Sequence, residues 1–463
     1  MKRMIALIAF LLPAIIGGIG YILDGNRAID AFYQSVGMYF FDANTTDNNW
    51  LVEISRWLAP IMTISGIALL VKEAWNRVKD FFVSFSSDAV ALYGDETLTE
   101  LTKANMKHAI IAKNNEIKDV KSHILLFESE DEGIRFYMKN RKALLNREVY
   151  IKLDSIDCLQ AAIDHVRFFN INEMIAREFW KTHPLTEAFT QKTVSVSLIG
   201  SGNLLKKLLY YGFLNNLYTI NQKIVYHIWG ACDFADVHRD FLTMNGDEVV
   251  YHTASVKEEL SFVAQTDRII LAEENGSALL DELTKLTTAS IFCYDSTDTF
   301  VNVFGYEKIF PFGSLFHILT AENIRTDKLQ RLAKQINYEY EKNYGSLKGC
   351  ALPESQEADT ERLWASLSPF LKSSNLVAGD YQTIRLLVME HRKSWEIDEE
   401  ICELEHIRWC RYHLLNHWKY GSNAEGKKDK EKKLHPCLKP FSELPPEEHW
   451  KDRDTIAVLM GLA

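Results

Sequence analysis

Residues 194–202 read VSVSLIGSG, an apolar strand that runs directly into a glycine turn, and this stretch decides the fold class. Further short apolar segments follow it at residues 224–228, 249–252, 269–272 and 290–294. Helical segments separate them, and strands that alternate with helices are typical of a parallel sheet. We therefore predict an α/β unit at residues 191–318.

A second series of the same kind precedes this unit. Its apolar segments lie at residues 89–93, 108–112, 123–127 and 148–153. The sequence thus predicts two Rossmann-like parallel-sheet units, the first at residues 81–190 and the second at residues 191–318.

The glycine turn of the second unit has part of the dinucleotide-binding fingerprint. Gly200 and Gly202 follow a strand and precede a helix, where backbone N–H groups can hold a pyrophosphate. Leu205 stands in place of the third glycine, and Asp233 would have to supply the carboxylate that binds a ribose hydroxyl. The turn predicts either a nucleotide or dinucleotide site at Gly200, Gly202 and Asp233, or a tight turn without a ligand.

The first 80 residues predict a membrane segment. Met4–Leu23 is an uncharged run of 20 residues, long enough as a helix to cross a hydrocarbon core about 30 Å thick. Leu58–Val71 is shorter and crosses the membrane only if flanking residues extend the helix. Arg56 and Lys72 would then reach opposite membrane interfaces. Basic residues at both outer ends predict cytoplasmic termini and a cytoplasmic main body at the inner (plasma) membrane. The alternative for the first run is a secretory signal peptide.

Residues 28–41, between the two apolar runs, predict a short re-entrant or interfacial helix. This arrangement resembles the two-transmembrane unit of potassium channels, and Trp57–Pro60 resembles the same segment in bacterial membrane proteins that carry TrkA-type (RCK) domains. The two parallel-sheet units also resemble TrkA-type nucleotide-binding domains. A potassium filter uses a glycine-containing loop of carbonyls, whereas residues 42–49 read DANTTDNN. Two interpretations of residues 28–41 remain open, a pore-type helix and an interfacial helix that only anchors a hairpin in the membrane.

Residues 319–400 predict a helical linker region, because residues 329–340 show helical spacing of apolar side chains. The run Ser373-Ser374-Asn375 is predicted to cap a helix that continues through Met389. In bacterial proteins that this chain resembles, a similar Ser-Asn pair and helix precede the C-terminal module. A site between the two is therefore the alternative interpretation of these residues.

The C-terminal module, predicted at residues 401–463, carries four clusters of polar and aromatic residues. They are Glu405-His406-Ile407-Arg408-Trp409, Trp418-Lys419-Tyr420-Gly421, His435-Pro436-Cys437-Leu438 and Lys451-Asp452-Arg453-Asp454. Together they resemble the RyR domain, the small helical repeat named after ryanodine receptors. The resemblance covers residues 401 to about 456 and implies a ligand-sensing module without a catalytic centre.

Two interpretations of this module remain open. In the first, Glu405 and Arg408 form an ion pair at i,i+3, His406 hydrogen-bonds to backbone and the aromatic residues are core. In the second, aromatic rings stack on a planar ligand, while cationic side chains bind its phosphate or carboxylate groups. The predicted ligand-binding residues are Glu405, Arg408, Trp409, Trp418, Tyr420, His435 and Arg453. A lysine-rich loop at residues 427–433 would steer an anion towards them.

Composition excludes several function classes. The chain has 52 Lys and Arg against 63 Asp and Glu, a net charge of -11, which argues against nucleic acid as a partner. Seven cysteines without a C-x-x-C pair indicate neither a disulfide framework nor a metal site. His227, His252, Cys293 and Asp295 match no triad or metal motif. We therefore predict that the protein is not an enzyme.

The order of the modules resembles that of bacterial proteins proposed to couple nucleotide signals to membrane effects, and it implies a setting in antiphage defence. We expect a membrane-anchored sensor that binds a nucleotide-like small molecule and assembles as a homo-oligomer, since two helices alone cannot line a pore. The alternatives are a potassium-channel-like subunit regulated by its RCK-like domains, and an interaction scaffold held at the membrane.

Overall fold

The computed structural model describes residues 2–42, 49–112, 115–155, 166–238, 246–273, 277–299, 308–325, 327–349 and 355–462. The chain forms two compact units, Met1–Ser86 and Ser87–Ala463. The larger unit is α/β, with two parallel sheets and many helices. The larger unit does not separate into smaller compact units. The boundaries predicted within it, at residues 190, 318 and 400, therefore remain predictions from the sequence.

The first unit consists of helices. They are α1 (Lys2–Leu23), α2 (Ala28–Gly37), a 3-10 turn (Met38–Phe40) and α3 (Trp50–Ser84). Helix α2 and the turn lie where the sequence predicted a short helix. Helix α1 packs against both α2 and α3.

Glycines on α1 allow this close packing. A Cβ added to Gly20 would lie 2.7 Å from Cγ2 of Val52, and one added to Gly17 would lie 3.1 Å from the side chain of Met38. Asn49 caps α3 by accepting hydrogen bonds from its first N–H groups, and its amide also donates to the carbonyl of Gly20 at 2.7 Å. Small residues at such a contact let two helix backbones approach each other.

Among the described residues, one helical segment is long and apolar enough to cross a membrane, Trp50–Ala68 within α3. It begins before the predicted run Leu58–Val71. On α1 the described apolar segment is the shorter stretch Phe10–Leu23. Residues 43–48, most of the segment compared with a potassium filter, lie outside the described residues.

The first sheet of the larger unit has five strands in the order β2-β1-β3-β4-β5, and every strand pair is parallel. The elements are β1 (Val90–Gly94), α4 (Glu96–Asn105), β2 (Ala109–Ile111), β3 (Ser122–Leu126), α5 (Glu130–Leu144), β4 (Glu148–Lys152), β5 (Val166–Phe169) and α6 (Ile171–Thr182). The sequence predicted the first four strands, while β5 is an additional strand at the sheet edge.

The second sheet has six parallel strands in the order β11-β10-β9-β6-β7-β8. Its elements are β6 (Thr193–Ile199), α7 (Gly202–Asn215), β7 (Lys223–Trp229), α8 (Phe234–Val237), β8 (Glu248–His252), α9 (Leu260–Val263), β9 (Arg268–Leu271), α10 (Ser277–Leu286), β10 (Ser290–Tyr294) and β11 (Ile309–Phe312). Strand β11 was not predicted. It contains Pro311, which cannot donate to a ladder and is tolerated because the strand is at the edge.

Helices form the rest of the larger unit. They are α11 (Leu315–Ile318), α12 (Ala321–Arg325), α13 (Asp327–Asn343), α14 (Gln356–Ser366), α15 (Pro369–Arg392), α16 (Glu399–Leu415) and α17 (Pro446–Leu462), with two short strands, β12 (Lys419–Tyr420) and β13 (Leu434–His435). Buried side chains of both sheets and of helices α11, α12, α15, α16 and α17 form one continuous core. Separate smaller clusters contain further side chains of the second sheet and the contact of α13 with α15 and α17.

The predicted helix cap at Ser373-Ser374-Asn375 is wrong. Helix α15 begins earlier, at Pro369, and the side chain of Ser368 accepts a hydrogen bond from the N–H of Leu371. A serine followed by proline at the first helical position is the stronger start signal, because proline has the required φ and needs no hydrogen bond there. The run at 373–375 therefore lies inside the helix.

Candidate functional site

A cavity of about 550 Å³ lies among helices α13, α15, α16 and α17 and the segment that joins the last two. This volume is within the range of small-molecule sites, roughly 300–1,000 Å³. Its wall combines aromatic, cationic and amide side chains from segments that are up to about 120 residues apart in the sequence.

Glu405 and Arg408, which line the cavity, belong to a buried cluster that also contains Arg385. On α16, Arg408 donates from Nε to both carboxylate oxygens of Glu405, at 3.1 and 3.0 Å, and from Nη2 to Oε1 at 2.7 Å. Arg385 on α15 donates to Oε2 of the same carboxylate. Burial alone would raise the pKa of Glu405, but the charges of Arg408 and Arg385 outweigh burial and hold it below its usual value. Two cations thus share one anion, which leaves a net positive charge.

Two buried donors of the cavity wall have no hydrogen-bond partner among the residues that the structure describes. They are Nη1 of Arg408 and Nδ2 of Asn337, the latter on α13. A buried donor without an acceptor costs about 1–3 kcal/mol, and more when it is charged. A ligand whose acceptor groups reach these donors would remove that cost.

Aromatic rings line the cavity beside these donors. Trp418 is only 9% exposed and stacks on Phe370 with ring centroids 5.5 Å apart and planes 25° from parallel. Trp409 lies 4.9 Å from the ring of His435 in an edge-to-face arrangement. Trp409 also packs on the rings of His406 and His413, with ring centroids 5.7 and 4.0 Å away. The cavity therefore has an aromatic wall whose rings pack on one another.

Two neutral histidines give the cavity one hydrogen-bond acceptor and one donor. His413 donates from Nδ1 to the carbonyl of Trp409 at 3.0 Å, and burial lowers its pKa to about 3, so Nε2 is an acceptor. His435 accepts at Nδ1 from the N–H of Cys437 at 3.2 Å. Burial, followed by the charge of Lys428, lowers the pKa of His435 to about 4, so its Nε2 carries the proton. These tautomers are assigned from the partners.

A third histidine, His406, stays charged and has a structural role. Its Nε2 donates to the carbonyl of Lys439 at 2.9 Å, and its Nδ1 lies 3.5 Å from Oδ2 of Asp452. Burial would lower the pKa of His406, but its hydrogen bonds with Asp452 and Cys410 raise it to about 10. The sequence interpretation in which His406 bonds to backbone agrees with this contact.

Lysines surround the mouth of the cavity. Lys428, Lys430 and Lys433 of the lysine-rich loop are exposed and line it together with Lys451 of α17. Lys451 pairs with Glu448 at 2.5 Å. Desolvation, followed by the charges of Lys430 and Lys451, lowers the pKa of Lys428. The mouth is therefore a cationic surface that attracts anions.

Five of the seven predicted binding residues of the module line this one cavity. They are Glu405, Arg408, Trp409, Trp418 and His435.

The prediction is wrong at two positions, Tyr420 and Arg453, which do not line the cavity. Tyr420 is 59% exposed on β12. Arg453 is exposed, and its guanidinium lies over the ring of Trp450. Arg453 follows Asp452 on a helix, where each residue turns the side chain by about 100°, so only Asp452 lies on the cavity side.

Sequence reasoning missed the contribution of α13. Asn337 was not singled out, because nothing in the helical spacing of that segment distinguishes a cavity-lining amide from a surface one. On α15, Ser374 and Asn375 line the cavity. They occupy the position that the alternative interpretation, a site between the Ser-Asn pair and the module, requires.

The structure brings the glycine turn to the point where the strand order of the second sheet reverses, between β6 and β9. Gly200 and Gly202 have φ values of 143° and 80°, which favour glycine. Asp233 pairs with Lys206 of α7 at 2.8 Å, and this hydrogen bond lowers the pKa of the Asp233 carboxyl. The carboxylate predicted to bind a ribose is thus engaged by a neighbouring lysine.

Comparison with known proteins concerns the C-terminal region. The family model of the RyR domain matches residues 386–462, which begins 15 residues before the predicted start of the module. A search of curated proteins and a search of solved structures found no match. The cavity thus lies between the matched segment and the preceding helices α13 and α15. Residues 386–462 of this chain are thus similar to the RyR domain, which supports the sequence-based prediction of a C-terminal module of this kind.

Proposed function

We propose that the protein is a membrane-anchored sensor, that its RyR domain binds a nucleotide-like anion in the cavity described above, and that binding changes the state of the N-terminal helical unit. The observation that carries this proposal is that two buried donors, Arg408 Nη1 and Asn337 Nδ2, have no partner among the described residues and that both residues line the same aromatic cavity.

Charge supports an anionic ligand. Arg385 and Arg408 share the single carboxylate of Glu405, and a buried positive charge without a counterion is unfavourable. A phosphate or carboxylate of the ligand would supply the missing charge and accept from Arg408, the side chain best suited to such groups. The lysines at the mouth would raise the rate at which an anion arrives.

Shape supports a planar ring in the same ligand. Trp418 and Trp409 line the cavity, and stacking of a nucleobase on an aromatic side chain contributes about 1–3 kcal/mol. The neutral histidines His413 and His435 present an acceptor and a donor, which suits the mixed hydrogen-bonding edge of a base. A cavity of about 550 Å³ has room for a nucleotide.

The membrane part of the proposal rests on the apolar surface of the first unit. Large side chains such as Phe32, Tyr33 and Trp57 are at least two-thirds exposed on its helices. A continuous apolar surface of this kind is typical of protein or membrane contacts. We infer an inner (plasma) membrane location with cytoplasmic termini, and a homo-oligomer.

The two parallel sheets support Rossmann-like units that resemble TrkA-type domains. Their strand orders correspond to 2-1-3-4-5 and 3-2-1-4-5-6, which are the two common orders of doubly wound nucleotide-binding folds. In the proposed sensor, Gly200 and Gly202 are a second, weaker candidate for nucleotide binding, because Asp233 is paired with Lys206.

A second candidate function is a potassium-channel-like subunit. The order of long helix, short helix and long helix in the first unit favours it. In both functions the cavity is the sensing site, so conductance measurements with the identified ligand separate them.

The proposal is tested on the full chain in mild detergent. The thermal unfolding midpoint is measured with adenosine, guanosine and their mono-, di- and cyclic phosphates. We expect at least one phosphorylated compound to raise the midpoint, with its parent nucleoside raising it less. Trp418→Leu removes a stacking face and should reduce this shift, whereas Trp450→Leu, at an exposed position outside the cavity, should not. If no nucleotide shifts the wild-type midpoint, the proposed ligand class is wrong.

A further inference from the structure

One apolar seam runs along the whole of helix α3. From Trp50 to Phe85, apolar residues stand at positions 50, 54, 57, 61, 64, 68, 71, 75, 78, 82 and 85, at alternating intervals of four and three residues. All of these residues are exposed. This spacing is the heptad repeat of a coiled coil, with apolar residues at positions a and d. We call this set of residues the α3 seam.

Helix α1 packs on the opposite face of α3. Val52, Ser55 and Ala59 of that face are fully buried, and a Cβ added to Gly17 or Gly20 of α1 would meet Ser55 or Val52. These three residues occupy heptad positions b and f, which point away from positions a and d. The described part of the first unit therefore leaves the α3 seam uncovered.

The α3 seam continues beyond the apolar segment of the helix, which ends at Ala68. Residues 72, 73, 76, 77, 79 and 80 are polar or charged, whereas the seam residues Val71, Trp75 and Val78 stay apolar. A helix surrounded by lipid is apolar on every side, but the second half of α3 has the single apolar stripe of a helix in water. An exposed stripe of this kind is typical of a contact surface.

The length of α3 argues against the membrane surface as the partner of this stripe. The helix has 35 residues and is therefore about 52 Å long, compared with about 30 Å for a hydrocarbon core. Residues 67–84 contain neither Gly nor Pro, the residues at which helices usually bend. If Trp50–Ala68 crosses the membrane, the second half of α3 projects from it into water.

The shape of the α3 seam selects another helix as the partner. A strict seven-residue repeat drifts by about 20° per heptad around a straight α-helix, so the seam turns through about 100° over its length of about five heptads. A flat surface contacts only part of such a seam. A second helix with the same repeat supercoils with α3 and contacts all of it.

The exposed area is large enough for a pair of chains. Five residues of the α3 seam are aromatic and at least two-thirds exposed, namely Trp50, Trp57, Trp75, Phe82 and Phe85. An aromatic side chain buries roughly 150–250 Å², so two copies can bury on the order of 1,000 Å² through these residues. This is about the area that a specific interface requires.

The charges beside the α3 seam are compatible with a parallel pair. Lys72 and Lys79 occupy the flanking e positions. In a parallel coiled coil an e residue lies beside the g residue five positions earlier in the other helix, which is Ile67 or Ala74 here. Parallel pairing therefore brings no like charges together.

We propose that the partner of the α3 seam is α3 of a second copy of this chain, and that the two helices form a parallel coiled coil that continues beyond the apolar segment. This interface deepens the proposed function, because it is the contact through which the homo-oligomer forms. The parallel arrangement rests on the proposed function, since copies inserted into one membrane with the same topology are parallel.

Cysteine cross-linking of the full chain in mild detergent tests this pairing. Val78→Cys places a thiol at seam position d, where it faces its equivalent in a parallel pair, and Asp80→Cys places one on the opposite face of α3. Under mild oxidation we expect at least half of the Val78→Cys chains to form a disulfide-linked dimer, and at least fivefold less dimer with Asp80→Cys. The wild-type protein gives the background from the native cysteines, and maleimide labelling checks that both new thiols are accessible. No dimer with Val78→Cys, or an equal yield with Asp80→Cys, would overturn the proposal.

A second substitution in the Val78→Cys protein tests the contribution of the seam. Trp75→Glu places a charge at the neighbouring a position, where it meets the same charge of the second copy, and should lower the dimer yield at least threefold. Lys79→Glu, at an exposed position outside the α3 seam, should retain the yield. An unchanged yield with Trp75→Glu would overturn the coiled coil.

These measurements need no ligand, so they separate the interface from the sensor. Cross-linking through Val78→Cys without any nucleotide-induced shift in the unfolding midpoint would refute the proposed ligand class and leave the interface in place. A nucleotide-induced shift without cross-linking would refute the interface and leave the binding site in place.

Discussion

Arg385 and Arg408, on two different helices, donate to the same buried carboxylate, that of Glu405. The cluster of these three side chains has one positive charge more than it has negative charges. A buried cluster of this composition is stabilised when an anion binds next to it. The two guanidinium groups thus compensate the charge of Glu405, which lines the cavity.

Loss of the shared carboxylate should destabilise the protein strongly. Glu405→Gln leaves two buried guanidinium groups without a counterion, and we expect the free energy of unfolding to fall by about 3–5 kcal/mol. Urea unfolding followed by tryptophan fluorescence measures this change. Glu403→Gln, on the same helix and only half-buried, is the control and should change it by less than about 0.5 kcal/mol. If both substitutions lowered the free energy of unfolding equally, the carboxylate of Glu405 would not be needed for the stability of the cluster.

The lysines at the cavity mouth should contribute to ligand affinity through their charge. Lys428→Ala combined with Lys430→Ala should weaken nucleotide binding by about tenfold at low salt, and should make binding less sensitive to added salt. The matched control combines Lys427→Ala with Lys432→Ala, two lysines of the same loop that do not line the cavity. Isothermal titration at two salt concentrations measures both quantities. If the two double variants bind the nucleotide with equal affinity, the total charge of the loop determines affinity. The position of the individual lysines then has no effect, which contradicts the prediction.

The contribution of His406 to stability should depend on pH. Its pKa is raised in the folded protein to about 10 from an ordinary value of 6.5. The stabilisation is therefore complete below about pH 6.5 and declines as the pH rises towards 10. His406→Gln should lower the unfolding midpoint most at about pH 6 and progressively less up to about pH 9.5. The exposed His317 provides the control, since His317→Gln should have a small effect at every pH. If the decrease in unfolding midpoint caused by His406→Gln became larger as the pH rises, the positive charge assigned to His406 would be contradicted.

Close packing of α1 on α3 should depend on Gly20. An alanine Cβ there would lie 2.7 Å from Val52 Cγ2, so Gly20→Ala should cost about 1–3 kcal/mol through overpacking. Gly66→Ala is the control, because a Cβ at that position meets nothing within 4 Å and alanine favours the helix. The rate of proteolysis of the first unit in detergent should increase for Gly20→Ala only. A faster rate for Gly66→Ala would contradict this packing.

The sheets could be predicted from the sequence because each strand is a short apolar run beside a helix, a local pattern. Strand order could not, since it depends on which strands pair over long distances. The fifth strand of the first sheet and the edge strand with Pro311 were missed because neither has the extended apolar pattern of a central strand. The cap at Ser373-Ser374-Asn375 was misassigned because Ser368-Pro369 gives an earlier start.

The candidate site was predictable where its residues lie in the RyR domain itself. Trp418 and His435 could be identified from the sequence because they belong to the polar and aromatic clusters of the C-terminal module. Asn337 could not, because it is 71 residues before Arg408 in the sequence and its position at the cavity depends on tertiary packing.

The most direct test of the sensor proposal is mass spectrometry of small molecules released from the full chain after purification from cells in mild detergent. Asn337→Leu removes one of the unsatisfied donors, and Gln335→Leu changes an amide on the same helix that does not line the cavity. We predict a phosphorylated, ring-containing compound with the wild-type protein and with Gln335→Leu, and its loss in Asn337→Leu. Absence of any such compound from the wild-type protein, or its retention in Asn337→Leu, would contradict ligand binding in the RyR cavity.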